Sequence, residues 1–369
     1  MRGKCLYVAT VTEHIKAFHI PYLKWLKDQG WEVHVATNGD EPIPYCDKKH
    51  NISIQRSPFK PGNIKAYFQL NAILKKEKYD LIHGHTPMGG ALARLCSKKH
   101  RKTGTKIIYT AHGFHFYKGA PLINWLLYYP MEKWLSRYTD ALITMNSEDY
   151  ELAQRKMRAK KIYCISGIGV DIDRFSISSA GTEAKRAELG IPSNATVALS
   201  IGELIRRKNH ETVIRAINKM KDANLFYVVC GRGVLMEKLT ALCIELNVED
   251  RVMLLGYRTD TAELLHMSDL FLFPSFQEGL PVALMEAMSA GLPCIVSGIR
   301  GNVDLIKHEI GGLLCSATDV DEYCSAITRL AEDENLRRDM GSSNKNTIKK
   351  FDLSVVMEQM IRVYGEVLL

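Results

Sequence analysis

Residues 269–297 read DLFLFPSFQEGLPVALMEAMSAGLPCIVS, and two short apolar runs in that stretch bracket a helical segment carrying two carboxylates. Phe271-Leu272-Phe273 and Cys294-Ile295-Val296 are rich in β-formers and bounded by Pro and Gly, the pattern of strands buried on both faces of a parallel sheet. Pro281 stands where a first helical residue is expected, and Gly291 where a helix stops. Glu278 then falls in the loop leaving the first strand, and Glu286 about one and a half turns into the helix. Loops at the carboxyl ends of parallel strands are where open α/β sheets hold ligands, and the amides of Gly279, Leu280 and Val282 suit phosphate oxygens there. Carboxylates beside such a site suit the hydroxyls of a sugar or a ribose. Spacing alone leaves open that Glu286 is a solvated helix residue and Glu278 an ordinary loop charge.

The same grammar runs outward in both directions. CLYVAT (from Cys5), WEVHVAT (Trp31), DLIHGHT (Asp80), KIIYTAH (Lys106), ALITMN (Ala141) and KIYCIS (Lys161) alternate with helical segments. After a polar interval the pattern restarts with ATVALSIG (Ala195), LFYVVCG (Leu225) and RVMLLGY (Arg251), and GGLLC (Gly311) follows the opening stretch. Strands alternating with helices imply parallel, doubly wound sheets. At 369 residues the chain exceeds one ordinary domain, which predicts a first domain over 1–166, a hinge over 167–180 and a second domain over 181–352.

Composition narrows the classes. No run of about 18 apolar residues exists, and the start passes straight into a strand without a signal-peptide core, so a soluble cytoplasmic protein is expected. The nine cysteines include no Cys-x-x-Cys pair; Cys5, Cys164, Cys230, Cys294 and Cys315 fall in or beside apolar strands and read as small buried hydrophobes, not as a disulfide framework or zinc site. The net charge of +8 hides a split: residues 1–165 hold 27 Lys and Arg against 13 Asp and Glu, while the remainder is acidic. A basic half points to an anionic partner, whether nucleic acid, phosphorylated lipid or an acidic membrane face. KKHRK (98–102), RKMRAKK (155–161) and the aromatic run Phe114 to Tyr138 suit an anionic membrane interface, although core packing accounts for some of the aromatics.

FPSFQEGLPVALMEAMSAGLPCIVS resembles the Glu-x7-Glu signature of the retaining glycosyltransferases of family 4, and HTPMGG and TAHGFHF resemble its exopolysaccharide and capsule branch; the similarity covers essentially the whole chain. The resemblance implies the GT-B fold, two Rossmann-like doubly wound domains facing across a cleft, with GVDIDRF (169–175) as the linker and the last helix, 353–369, packing back on the first domain. It implies that Glu278 binds donor-sugar hydroxyls, that Glu286 binds the ribose, and that Lys208 in SIGELIRRKNHE binds phosphate. Where many members carry Arg after the Gly, Glu203 stands here, leaving Arg206 and Arg207 as candidates for a second cation. Gly202, Gly231 and Gly233 approach the nucleotide, and the backbone at Tyr257 and Arg258 pairs with its base. The resemblance further implies that His112 faces the donor sugar, with His14 and His115 as acceptor-side candidates. Each has a plainer reading: a solvated basic turn, a tight Gly-x-Gly turn, a structural His at a strand end.

His83 and His85 look like a metal pair, but they alternate by two in a strand and no carboxylate follows closely, and no Asp-x-Asp occurs in a plausible loop. No metal and no other cofactor is expected. The implied reaction is transfer, with retention, of a hexose or N-acetylhexosamine from a nucleotide diphosphate sugar, UDP expected, to a polyprenyl-diphosphate-linked saccharide at the inner face of the membrane. A UDP-sugar 2-epimerase of the same fold and a silent sugar-nucleotide-binding partner in a polysaccharide assembly complex are the rivals. Nucleic-acid binding would explain the basic half but not the carboxylates.

Overall fold

The computed structural model describes residues 3–176, 181–220 and 224–369, so residues 177–180 of the expected hinge lie outside the described residues. The chain divides into two compact units, Met1–Ile168 with Ser354–Leu369, and Gly169–Leu353. The first holds β1 (Gly3–Val11), β2 (Trp31–Asn38), β3 (Lys48–Asn51), β4 (Leu81–His85), β5 (Lys106–Thr110), β6 (Ala141–Thr144) and β7 (Lys161–Cys164). The second holds β8 (Thr196–Ile201), β9 (Leu225–Cys230), β10 (Val252–Gly256), β11 (Leu270–Phe273), β12 (Cys294–Ser297) and β13 (Gly312–Cys315). Every paired strand runs parallel, in the orders β3-β2-β1-β4-β5-β6-β7 and β10-β9-β8-β11-β12-β13. The direction of winding therefore reverses between β1 and β4 and between β8 and β11, and loops leaving those strands open the crevice where doubly wound sheets bind ligands.

Burial on both faces explains the unbroken apolar runs. In β11, Leu270 and Leu272 join a core with Val213, Ile217 and Tyr323, while Phe271 and Phe273 join another with Leu284 and Met288. The edges behave differently. β3 reads KKHN, lies half in water, and has no apolar alternation to announce it. Cys164 ends the other edge strand of that sheet and is exposed, which corrects its expected burial; the remaining expected cysteines are buried.

Two helices join β1 to β2, Thr12–Phe18 and Ile20–Asp28, broken at a buried His19. Pro281 is the cap of the helix Val282–Ala290 and not its first residue, with Gly291 left-handed at its end. Gly89 and Gly90 serve packing. A Cβ on Gly90 would stand 2.1 Å from the Tyr109 ring, and one on Gly89 2.8 Å from the Ala9 Cα, so the helix Pro87–Ser97 lies against the sheet only because both are glycine. Within the first unit, the terminal helix Leu353–Leu368 buries Tyr364, whose hydroxyl meets that of Tyr7 and lies 2.9 Å from His83 Nδ1.

Candidate active site

In the second unit the loops after β8 and β11 meet at the point where the sheet reverses. Lys208 closes a short 3-10 turn, Arg206–Lys208, and Asn209 follows with a left-handed backbone, its amide donating to Pro274 O at 3.0 Å and Ala317 O at 2.7 Å. Phe276 N donates to Arg207 O at 2.8 Å, which ties the two loops together. So positioned, Lys208 Nζ lies 2.8 Å from Glu278 Oε1, and Arg207 Nη1 lies 3.0 Å from the same oxygen while donating to Gln277 O. Glu278 is 7% exposed. Burial lowers the Lys208 pKa, against the pull of Glu278, and its ammonium sits 4.4 Å from the centroid of the Phe273 ring. Two cations thus hold one buried carboxylate beside the start of the helix Val282–Ala290, whose first amides are unused by its own ladder.

Glu286, one turn further along that helix, has no hydrogen-bond partner among the described residues. Burial pushes its carboxyl up to about 7, against the opposing effect of the Arg174 charge. Such a group sits near the middle of its titration at neutral pH, which makes it sensitive to whatever polar ligand arrives.

Arg206 does not join this group. It is exposed and lines a cavity with Glu211, Arg215 and Lys238, so of the two candidate arginines it is Arg207 that lies beside Glu278. Gly231 and Gly233 are required by backbone packing: a Cβ would lie 1.8 Å from Gly202 O at the first and 2.3 Å from Leu204 O at the second. Gly202 itself leaves room for the Lys208 side chain. The Arg258 guanidinium is engaged with Asp260 and Glu188, and Tyr257 is exposed beneath Arg232.

The first unit carries its polar groups at the corresponding reversal. His14 and His112 meet there with His19 and His85, the four rings offering one nitrogen each within 4.8 Å of one another. Sequence reasoning singled out His14 and His112 separately and gave His19 no role. Beside them Thr86 is a β-branched residue at φ 61°, held there by a 2.7 Å contact between its hydroxyl and that of Thr10. Strain of this kind persists where the surroundings over-determine it, as ligand sites do. His115 turns elsewhere, into an apolar cavity of about 340 Å³ with Leu92, Phe114, Tyr128 and Met131, a volume in the range of small-molecule sites. The helix Leu122–Leu135 beside it exposes Leu122, Ile123, Leu126, Met131 and Trp134, apolar surface that sequence composition suggested only as an aromatic run.

Residues 181–347 match the family model "Glycosyl transferases group 1" and residues 4–146 the model "Glycosyl transferase 4-like". EpsD of Bacillus subtilis, a chain named as a glycosyltransferase, is 40% identical over 369 residues, covering 99% of this chain and 97% of its own. The UDP-Gal:alpha-D-GlcNAc-diphosphoundecaprenol alpha-1,3-galactosyltransferase of Escherichia coli is 34% identical over 74% of this chain and 72% of its own. Among solved structures, Anabaena HepE in complex with UDP and glucose superposes with a TM-score of 0.83 at 19% identity, over 99% of this chain and 100% of that one. The likeness is one of fold, and with the two parallel sheets it places the chain in the GT-B class.

Proposed function

The chain belongs to the group 1 glycosyl transferases, and from that premise we propose that it moves a hexose or N-acetylhexosamine, with retention, from a UDP-sugar to a saccharide on a polyprenyl diphosphate carrier. The observation that carries the reading is the Lys208–Glu278–Arg207 contact at the reversal of the second sheet. A diphosphate entering that crevice offers Lys208 and Arg207 better partners than one carboxylate, and so frees Glu278 to accept hydrogen bonds from sugar hydroxyls. The helix start at Val282 faces the same phosphates, and Glu286 is positioned for the ribose. Cations and amides aimed at the leaving diphosphate stabilise the charge that develops as the glycosidic bond breaks. This half of the reaction needs no metal, so added Mg²⁺ or Mn²⁺ leaves the rate unchanged; a requirement for either would overturn that part of the reading.

The acceptor belongs to the first unit in this reading. The apolar cavity beside His115 and the exposed face of Leu122–Leu135 suit a lipid carrier, and the Lys and Arg of 98–102 suit its diphosphate or an anionic membrane surface. The diphosphoundecaprenol substrate in the name of the Escherichia coli relative supports the same acceptor class. The test is direct: UDP-hexoses and UDP-N-acetylhexosamines are offered with a polyprenyl-diphosphate-linked sugar, and product stereochemistry is read by NMR. Transfer with retained configuration is expected; release of UDP with an epimerised free sugar, or no turnover with any donor, would sink the proposal.

A further inference from the structure

The geometry points to a transition-metal site in the first unit, built by His14, His19, His85 and His112 and fitted to Zn²⁺ or an ion of similar preference. The ligands come from four places in the chain: the helix Thr12–Phe18, the break that follows it, the end of β4, and the loop leaving β5. His14 Nε2 lies 3.2 Å from His19 Nε2 and 3.3 Å from His112 Nε2, and His112 Nε2 lies 3.5 Å from His85 Nδ1. A tetrahedral zinc with bonds of about 2.0 Å separates its ligand nitrogens by roughly 3.3 Å. Three of the six edges of such a tetrahedron are therefore already at that spacing, and all four donor atoms lie within 4.8 Å of one another.

Hydrogen bonding among the rings does not account for this. A neutral imidazole nitrogen has one in-plane direction, in which it either donates one proton or presents one lone pair. His14 Nε2 and His112 Nε2 each face two other ring nitrogens, so each can satisfy only one of them well. The far-side nitrogens His19 Nδ1 and His85 Nε2 are buried without a hydrogen-bond partner, and they would carry the ring protons when Nε2 and Nδ1 face the ion. His83, two residues from His85, shows what a structural histidine looks like here: Nδ1 is 2.9 Å from Tyr364 OH and Nε2 2.8 Å from Thr110 Oγ1. Its neighbours converge on a point; His83 does not.

The donor set is all imidazole. It suits zinc, copper or nickel and excludes magnesium, calcium and manganese, which take oxygen ligands. The cluster also stands where the winding of the first sheet reverses, the place occupied in the second sheet by Lys208 and Glu278. An ion there pins two helices to the ends of β4 and β5. It is not the His83–His85 pair that the sequence argued against, since His83 has no part in it, and it departs from the expectation of no metal.

The test uses the full chain, stripped with a chelator and titrated with Co²⁺, whose visible absorption is intense in four-coordinate nitrogen sites and weak in octahedral ones. One equivalent is expected to bind with the intense bands, one equivalent of Zn²⁺ to displace it, and Zn²⁺ to raise the unfolding temperature. His14→Gln and His112→Gln should each weaken binding tenfold or more, whereas His308→Gln, exposed in the second unit, should not. Should either variant lose its circular dichroism, X-ray absorption of the zinc-loaded native chain decides: four nitrogen neighbours with imidazole scattering are expected. Absence of saturable 1:1 binding at micromolar metal, an octahedral cobalt spectrum, or unchanged affinity in a folded His14→Gln or His112→Gln chain would each overturn the site, leaving a chain of neutral imidazoles. No readout involves sugar donor or acceptor, so the outcome is independent of the transfer assay.

Discussion

Glu278 and Glu286 lie on one loop and helix but stand in opposite electrostatic situations, and their variants should part accordingly. Glu278 is held between two cations in the ligand-free chain, and under the proposed function a donor diphosphate takes those cations and leaves a buried carboxylate whose bonds to sugar hydroxyls tighten as positive charge develops on the ring. Glu278→Gln should lower kcat by roughly 10²-fold, the scale of one preorganised electrostatic group. A ribose contact is equal in ground and transition states, so Glu286→Gln should act mainly on the donor KM; steady-state kinetics of the pair would expose a reversal of roles. Glu286 also carries a stability signature. Its carboxyl titrates near 7 in the folded chain against 4.5 ordinarily, so the folded state holds a proton that the unfolded state has lost, and stability falls as pH rises from 4.5 to 7. Glu286→Gln removes that penalty: it should stabilise the chain at pH 8 by up to roughly 3 kcal/mol, with the gain gone at pH 4, as read by thermal unfolding at both. The sequence made these carboxylates legible because they share one short run. It could not pair Lys208 with Glu278, 70 residues apart, by any local signal, nor gather four histidines scattered from 14 to 112. Charged and imidazole side chains leave no periodicity, and only the strand order brings them together.

At the scale of elements, the helix Leu122–Leu135 shows how one segment serves two purposes. Its inner side is anchored by Glu132, which takes both terminal nitrogens of the fully buried Arg94 at 2.8 and 2.9 Å; that guanidinium lies 3.8 Å from the Tyr109 ring and donates to Gly90 O. Glu132→Gln leaves a buried charge without its partner and should cost about 3 kcal/mol, measurable by denaturant unfolding. The outer side is apolar and exposed, with Leu122 80% and Leu126 71% accessible. Replacing both by Ser should leave stability within about 0.5 kcal/mol and weaken sedimentation with anionic vesicles; equal vesicle binding by the variant would remove this face from any membrane role. Strands were readable from sequence wherever they carry an apolar run, the edge strands β7, β10 and β13 included, and unreadable at β3, which is four polar or charged residues paired to β2 by backbone alone. The break at His19 was hidden for a related reason, since its ring is directed inward by the cluster and not by an apolar stripe.

For the molecule as a whole, each unit has a core of its own, and the chain returns to the first unit only in its last helix. The two large clusters of the second unit contain no residue outside 170–351. The terminal helix buries Val356, Met360, Val363, Tyr364 and Val367, with Tyr364 stacked on Trp25 at 5.8 Å and hydrogen-bonded to His83. Gln359 Oε1 accepts from Ser166 N at 2.8 Å, and Glu366 reaches Lys161 and Tyr163 on the edge strand. Removing residues 354–369 therefore opens the first unit around Tyr7, His83 and Trp25 and takes no residue from the two large cores of the second. Burying five side chains of this size is worth roughly 1.5–3 kcal/mol each before ordering costs, a large fraction of what holds one domain folded. Calorimetry of the truncated chain should show the transition of the first unit lowered by 10 °C or more, or lost, and that of the second unmoved. A uniform drop of both transitions would mean that the units do not unfold independently, and that the last helix stabilises the chain by a route other than the contacts within its own unit.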